Sequence, residues 1–157
     1  MNFVRAMRRV KVQIEVRAWL VRWLYLVAIG HLAGAFFMTW WAESSVLTYY
    51  HQQAVASFGG AEPLQLTEIQ LWWFKLFGAT LQAFSLFMLM LIYVANRTAD
   101  AVVWIALAVT ILWWAPQDIY VSLQQSMWSH VWVDLAAVLA IVPVAIWLAL
   151  IDRRRNL

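Results

Sequence analysis

Four apolar runs divide this chain, and together they are too much apolar surface for a small soluble domain to hide. They cover about residues 19–42, 69–95, 101–116 and 129–151. A helix needs about 20 mainly apolar residues to cross a hydrocarbon core of about 30 Å. In lipid, only helices and closed barrels satisfy their own backbone groups. The four runs are therefore read as helices. The expected fold is all-α: one domain, 1–157, built as a polytopic membrane protein with four transmembrane helices in an antiparallel bundle. Composition agrees. Hydrophobic residues make up 65% and charged residues 12% of 157 positions, against about 45–50% and 25% in soluble domains. A domain this small leaves much of its surface uncovered, so the natural solvent for that surface is a bilayer. The chain has no Cys, which excludes thiol redox chemistry, iron–sulfur clusters and thiolate metal sites.

The third run is the shortest. From Asp100 to Trp114 a helix rises roughly 21 Å, less than a full core. It either continues past Pro116 with a kink or stops there. Pro suits a first helical turn, so 116–128 is open to reading as a separate surface helix.

Orientation follows from Lys and Arg, which favour the cytoplasmic side of a span. Arg5, Arg8, Arg9, Lys11, Arg17 and Arg22 precede or open the first run. Arg97 lies in the 2–3 connection, and Arg153, Arg154 and Arg155 lie in the tail. Ten of the eleven basic residues thus fall on one side. That half carries about +7 and the other about −4. Both termini are expected in the cytoplasm of a multi-pass protein of the cell membrane (the inner membrane in a Gram-negative bacterium). The positive net charge then reflects topology and gives no argument for nucleic acid. The basic N-terminal segment is too long for a signal peptide, and Trp40-Trp41-Ala42 is a poor cleavage site.

The Trp residues repeat the same division. Trp40, Trp41, Trp72, Trp73, Trp113, Trp114, Trp128 and Trp132 fall at the outer ends of the runs. Trp19, Trp23, Trp104 and Trp147 fall toward the inner ends. This is the pattern of an aromatic belt anchoring helices at both interfaces.

Outside the runs, Phe3, Met7, Val10 and Ile14 fit a helical stripe, while Val10, Val12, Ile14 and Val16 alternate as in a strand. A lone strand has no partner to pair with, so residues 1–18 are read as a basic juxtamembrane helix on the inner leaflet. The outer loop over 43–68 carries Val46 or Leu47, Tyr50, Ala54 and Phe58 at helical spacing, so an amphipathic helix is expected there. Gly59-Gly60 would stop it and Glu62-Pro63 would turn the chain. Thr67 with Gln70 resembles a capping box opening the second run.

Polar residues within a span are costly and mark the place to look for function. Lys75, Gly78, Gln82 and Ser85 share one face of the second run, which should turn inward. His130, Asp134, Ala137 and Ile141 share one face of the fourth. Lys75 is the one outer cation among Glu43, Asp118 and Asp134, and a pair with Asp134, then Asp118, is preferred because it lowers the cost of desolvation. His31 lies at a depth like that of Gln82, and a hydrogen bond between the two would satisfy both. Gly30-His31-Leu32-Ala33-Gly34 is a GxxxG that permits close helix packing, within the bundle or in a homo-oligomer, and Gly78 is a third packing position.

The ligand-binding candidates are His31, Lys75, Gln82, Asp118, His130 and Asp134. No cofactor is implied. His130 and Asp134 are four apart and would need His51, Glu43 or Asp118 to complete a metal site, but this matches no named zinc pattern, so no metal is assigned. A bis-His haem on His31 and His130 fails on depth, since His31 lies roughly 13 Å below Trp40. No catalytic motif is present.

The run Leu26-Val27-Ala28-Ile29-Gly30-His31-Leu32-Ala33-Gly34, with Pro116-Gln117-Asp118-Ile119-Tyr120 and His130-Val131-Trp132-Val133-Asp134-Leu135, resembles small bacterial four-helix membrane proteins of the DoxX-like and BphX-like kind. The resemblance implies a four-helix membrane bundle and transfers no catalytic residue. Three functions stay open. The first is an accessory subunit, or a binder of a lipophilic small molecule or lipid in a pocket facing the outer leaflet, its partners being the bilayer and a membrane protein or ligand. The second is a membrane-embedded enzyme moving protons with His and Asp on a lipophilic substrate. The third is a small oligomeric transporter.

Overall fold

The computed structural model describes residues 2–57 and 64–155, with the side chains of 12–57 and 68–154. It is all-helical, in the order α1 (Asn2–Trp40), a 3-10 turn (Ser45–Leu47), α2 (Thr48–Ser57), α3 (Leu64–Thr98), α4 (Ala101–Gln124) and α5 (Trp128–Arg155). Four of these, α1, α3, α4 and α5, are long and apolar enough to cross a membrane. Their hydroxyls are hidden locally. Thr39, Thr80, Ser85, Thr98 and Thr110 each donate to the carbonyl four residues back, so an apolar surround leaves none of them without a partner.

The connections are short and tightly capped. Between α3 and α4 the chain reverses through Ala99, at φ 51°, and Asp100 accepts the Val102 N–H at 2.8 Å as N-cap of α4. Between α4 and α5, Ser126 takes φ 55°. There the N–H groups of Ser126 and Met127 donate to the carbonyls of Leu123 and Ser122, closing the C-terminus of α4.

Two boundaries bear on the sequence reading. First, of the two readings open at Pro116, α4 takes the continuation and runs to Gln124. Proline removes a backbone donor and crowds the preceding turn; one residue on, the Gln117 side chain donates to the Trp113 carbonyl at 2.6 Å. Second, α3 begins at Leu64. Thr67 therefore lies inside the helix and is not its cap. Phe58 of the expected amphipathic helix, its expected stop at Gly59-Gly60 and the turn at Glu62 and Pro63 lie outside the described residues.

Helix α1 packs along α3, and α4 along α5, with smaller contacts joining α1 to α5 and α3 to α4. One apolar stripe from each long helix meets at the centre: Leu24 and Ala28 of α1, Met88 and Ile92 of α3, Trp104 and Ile111 of α4, Ile141 and Leu148 of α5. The opposite faces are apolar too, with Leu26, Phe87, Val109 and Leu139 exposed. A soluble domain seldom shows so continuous an apolar exterior; it suits a membrane protein.

Close approach of α1 and α3 depends on Gly78. A Cβ there would lie 2.6 Å from Thr39 Oγ1 and 3.0 Å from the Ala35 carbonyl oxygen. Gly30 and Gly34 do no such work inside this chain. A Cβ on either would meet nothing within 4 Å, because α1 turns its Leu24, Ala28 and Ala35 side to the other helices. Nine of the twelve Trp residues are exposed, Trp40, Trp72, Trp113 and Trp132 among them. Trp104 breaks the belt pattern: it is fully buried, held by a polar partner described below.

Candidate functional site

The richest polar cluster forms where the end of α4 meets the start of α5. Asp118 and Ser122 stand one turn apart on α4. His130 and Asp134 stand one turn apart on α5. The tight 125–127 turn brings the two pairs side by side. One ligand atom from each of Asp118, His130 and Asp134 lies within 4.8 Å of the others. His130 Nε2 is 3.9 Å from Asp118 Oδ2. His130 Nδ1 lies 3.2 Å from the Ser122 hydroxyl oxygen. Asp134 sits deepest, at 1% exposure, and its Oδ2 accepts no hydrogen bond among the described residues.

Beside this cluster opens a cleft of about 420 Å³, walled by Tyr50, Trp73, Phe74, Phe77 and Met127, with Asp118, Ser122 and His130 on its cluster side and Gln70 and Gln125 as further polar lining. The His130 ring meets Phe77 edge-on at 6.4 Å. Helix α2 lies over one flank and is pinned by polar contacts. Gln53 Oε1 accepts both the backbone N–H and the hydroxyl of Ser129. The His51 ring bridges the Ala42 carbonyl at 2.8 Å and the Gln70 amide at 3.2 Å. Tyr50 and His51 pack on Phe74 at 5.2 and 5.1 Å. Burial, then the negative charges of Asp118 and Asp134, push the Tyr50 hydroxyl above its ordinary range. Tyr50 therefore stays a neutral hydrogen-bond donor at the mouth of the cleft.

Of the six ligand-binding candidates, the structure brings together Asp118, His130 and Asp134. Lys75, Gln82 and His31 do not line the cleft. Lys75 pairs with Glu43 at 2.8 Å, not with Asp134 or Asp118. Its long stem lets the ammonium reach an accessible carboxylate and stay partly hydrated, which costs less than burial beside Asp134. The pair holds the Glu43 carboxyl below its ordinary range, by hydrogen bond and by charge. Gln82 donates to Thr39 Oγ1 at 2.8 Å, while His31 Nδ1 bonds the Val27 carbonyl on its own helix at 2.9 Å. The expected His31–Gln82 bond is absent because side chains lean toward the N-terminus of their own helix. Gln82 leans toward the turn of Lys75 and Gly78, where Thr39 lies; His31 leans back toward Val27. Neither His51 nor Glu43 joins the His130–Asp134 pair; the third member is Asp118.

A second buried cluster was missed by sequence reasoning. Asp152, at 0% exposure, receives Arg17 Nε at 2.7 Å, a second Arg17 nitrogen at 2.9 Å and Trp104 Nε1 at 2.9 Å. Arg17 also donates to Asn96 Oδ1 at 2.8 Å. Four helices are thus tied at one point. The signal was present: Ala145, Leu148 and Ala149 continue at helical spacing into Asp152. The neighbouring Arg153, Arg154 and Arg155 made the stretch read as a solvated tail. The cluster is fully paired and closed, which marks it as a structural clamp.

No protein-family model matches the chain, and neither a curated protein nor a solved structure matches it.

Proposed function

We propose that the chain is a four-span integral membrane protein that binds a lipophilic molecule in the cleft beside Asp118 and His130. The four long helices form an antiparallel bundle with both termini in the cytoplasm, in the cell membrane. The Arg17–Asp152–Asn96 contacts support this plan, because they join the early part of α1 to the late parts of α5 and α3. The concentration of Lys and Arg at that end supports the orientation. A four-helix membrane bundle is also what the resemblance to DoxX-like and BphX-like proteins implies. The cleft then faces the outer leaflet.

The observation that carries the reading is the composition of that cleft. Aromatic walls and one convergent polar side are the usual features of a small-molecule site. The fitting ligand has an apolar body and one polar head, the head meeting His130, Asp118 and Tyr50. Native mass spectrometry on protein extracted gently from its own membrane tests this. A discrete extra mass is expected on the 18.2 kDa chain. Val121→Trp, at an exposed position on the cleft wall, is expected to abolish it. A bare wild-type chain, or a mass retained by Val121→Trp, contradicts the reading.

A second reading is proton transfer on a lipophilic substrate, with His130 as base and Asp118 or Asp134 as acid. The convergence of these three groups favours it. Turnover undiminished in His130→Ala would exclude it.

A further inference from the structure

Asp118, His130 and Asp134 offer one imidazole nitrogen and two carboxylate oxygens within 4.8 Å of one another. Proximity alone is common among acidic side chains. What singles out this group is Asp134. It is 99% buried, with an oxygen that accepts no hydrogen bond. A carboxyl so placed is expensive as an anion unless it is paired or coordinates a metal, and it otherwise rests as the neutral acid. Among the described residues no lysine or arginine supplies the pairing charge: Lys75 is turned to Glu43 and Arg17 to Asp152. We propose that Asp118, His130 and Asp134 bind a divalent first-row transition-metal ion.

The donor set narrows the ion. Mg²⁺ and Ca²⁺ prefer all-oxygen shells with more ligands. An imidazole beside carboxylates suits Zn²⁺, Mn²⁺ or Fe²⁺. Two carboxylates and a neutral imidazole also balance the charge of a dication. One His130 tautomer suits this role. With Nδ1–H donated to the Ser122 hydroxyl at 3.2 Å, the Nε2 lone pair is free on the side of Asp118. A metal-bound histidine usually has such an outer partner. Bonds of about 2.0–2.2 Å place the ligands of one ion about 3–3.5 Å apart. The 3.9 Å between Nε2 and Asp118 Oδ2 therefore closes by about 0.5 Å, and the Asp134 oxygen, within 4.8 Å of the other ligand atoms, closes by up to about 1.5 Å, through side-chain rotation. Three protein ligands leave coordination positions open. Asp118 and His130 both line the cleft, so those positions face it. The ion site stands whether or not the cleft also holds a lipophilic molecule.

Metal-stripped full-length protein in detergent, equilibrated with Zn²⁺ and analysed for bound metal, tests the proposal. One zinc per chain is expected, with a rise in the unfolding midpoint, since an ion that binds only the folded chain stabilises it. Asp134→Asn, which keeps the shape, and His130→Ala, at a half-exposed residue, are each expected to lose the ion. Ser122→Ala is expected to weaken binding about tenfold. X-ray absorption at the zinc edge should show an imidazole in the shell. Wild type without stoichiometric zinc, an all-oxygen shell, or undiminished binding in His130→Ala would each overturn the proposal. Val121→Trp is expected to keep the zinc. Zinc kept by a wild-type chain that carries no lipophilic mass would refute the cleft reading alone.

Discussion

At the scale of single residues, two ion pairs behave differently because their burial differs. The Arg17–Asp152 pair is almost wholly removed from solvent, at 11% and 0% side-chain exposure. Breaking a buried pair by removing one partner strands the other charge and costs about 3–5 kcal/mol. Asp152→Ala is expected to lower detergent-solubilised stability by about that much, read from reversible unfolding. Glu43→Gln should leave the midpoint nearly unchanged, because the Lys75–Glu43 pair is exposed and screened. A small loss in Asp152→Ala would contradict the clamp. Tyr50 supplies the pH dependence. Its hydroxyl ionises above the ordinary value of 10 in the folded chain. Below that value it contributes no penalty. As pH rises from 10 through the raised value, the unfolded chain gives up its proton first, so stability is lost. Tyr50→Phe is expected to lessen this alkaline loss, measured as the unfolding midpoint against pH. An alkaline profile identical to wild type would show that Tyr50 is not held neutral. His130 and Asp134 were legible together because four-residue spacing puts them on one face of a helix. Their union with Asp118 was not, since it depends on the turn that lays α4 against α5. The Lys75 partner was misread for a related reason. Sequence position gave its depth but not the reach of its stem toward Glu43.

At the scale of elements, apolar length alone located the four long helices, because a hydrocarbon core admits little else. Ends and contact faces were harder. At Pro116 the sequence leaves a stop and a continuation open, and the helix that runs on to Gln124 shows the proline tolerated within α4. The GxxxG of α1 reads as a packing motif, yet packing falls on the face of Ala28 and Ala35, where Gly78 of α3 comes close. This difference is measurable. Gly78→Ala would force a Cβ against Thr39 and the Ala35 backbone, and is expected to cost about 1–3 kcal/mol, as overpacking does. Gly30→Ala and Gly34→Ala meet open space and should be neutral or stabilising by up to about 1 kcal/mol through helix propensity. Thermal midpoints of the three variants in one detergent decide it. A larger loss at Gly30 or Gly34 than at Gly78 would show that α1 packs through its other face, as in a dimer.

At the scale of the whole molecule, two polar clusters stand apart along the helices. The Arg17–Asp152 clamp ties all four long helices on the side of the basic residues. The Asp118–His130–Asp134 group lies near the turn from α4 to α5, under the flank of α2. The proposed topology puts the clamp at the cytoplasmic face and the cleft at the outer one, and the outer-leaflet reading of the cleft depends on that placement. The absence of Cys makes it directly testable with single cysteines and a membrane-impermeant thiol reagent. Gln125→Cys lies on the cleft in the turn after α4, and Arg153→Cys lies exposed near the end of α5. In intact cells the first is expected to be modified, and the second only after permeabilisation. The reversed pattern, or equal modification of both before permeabilisation, would contradict an outward-facing site.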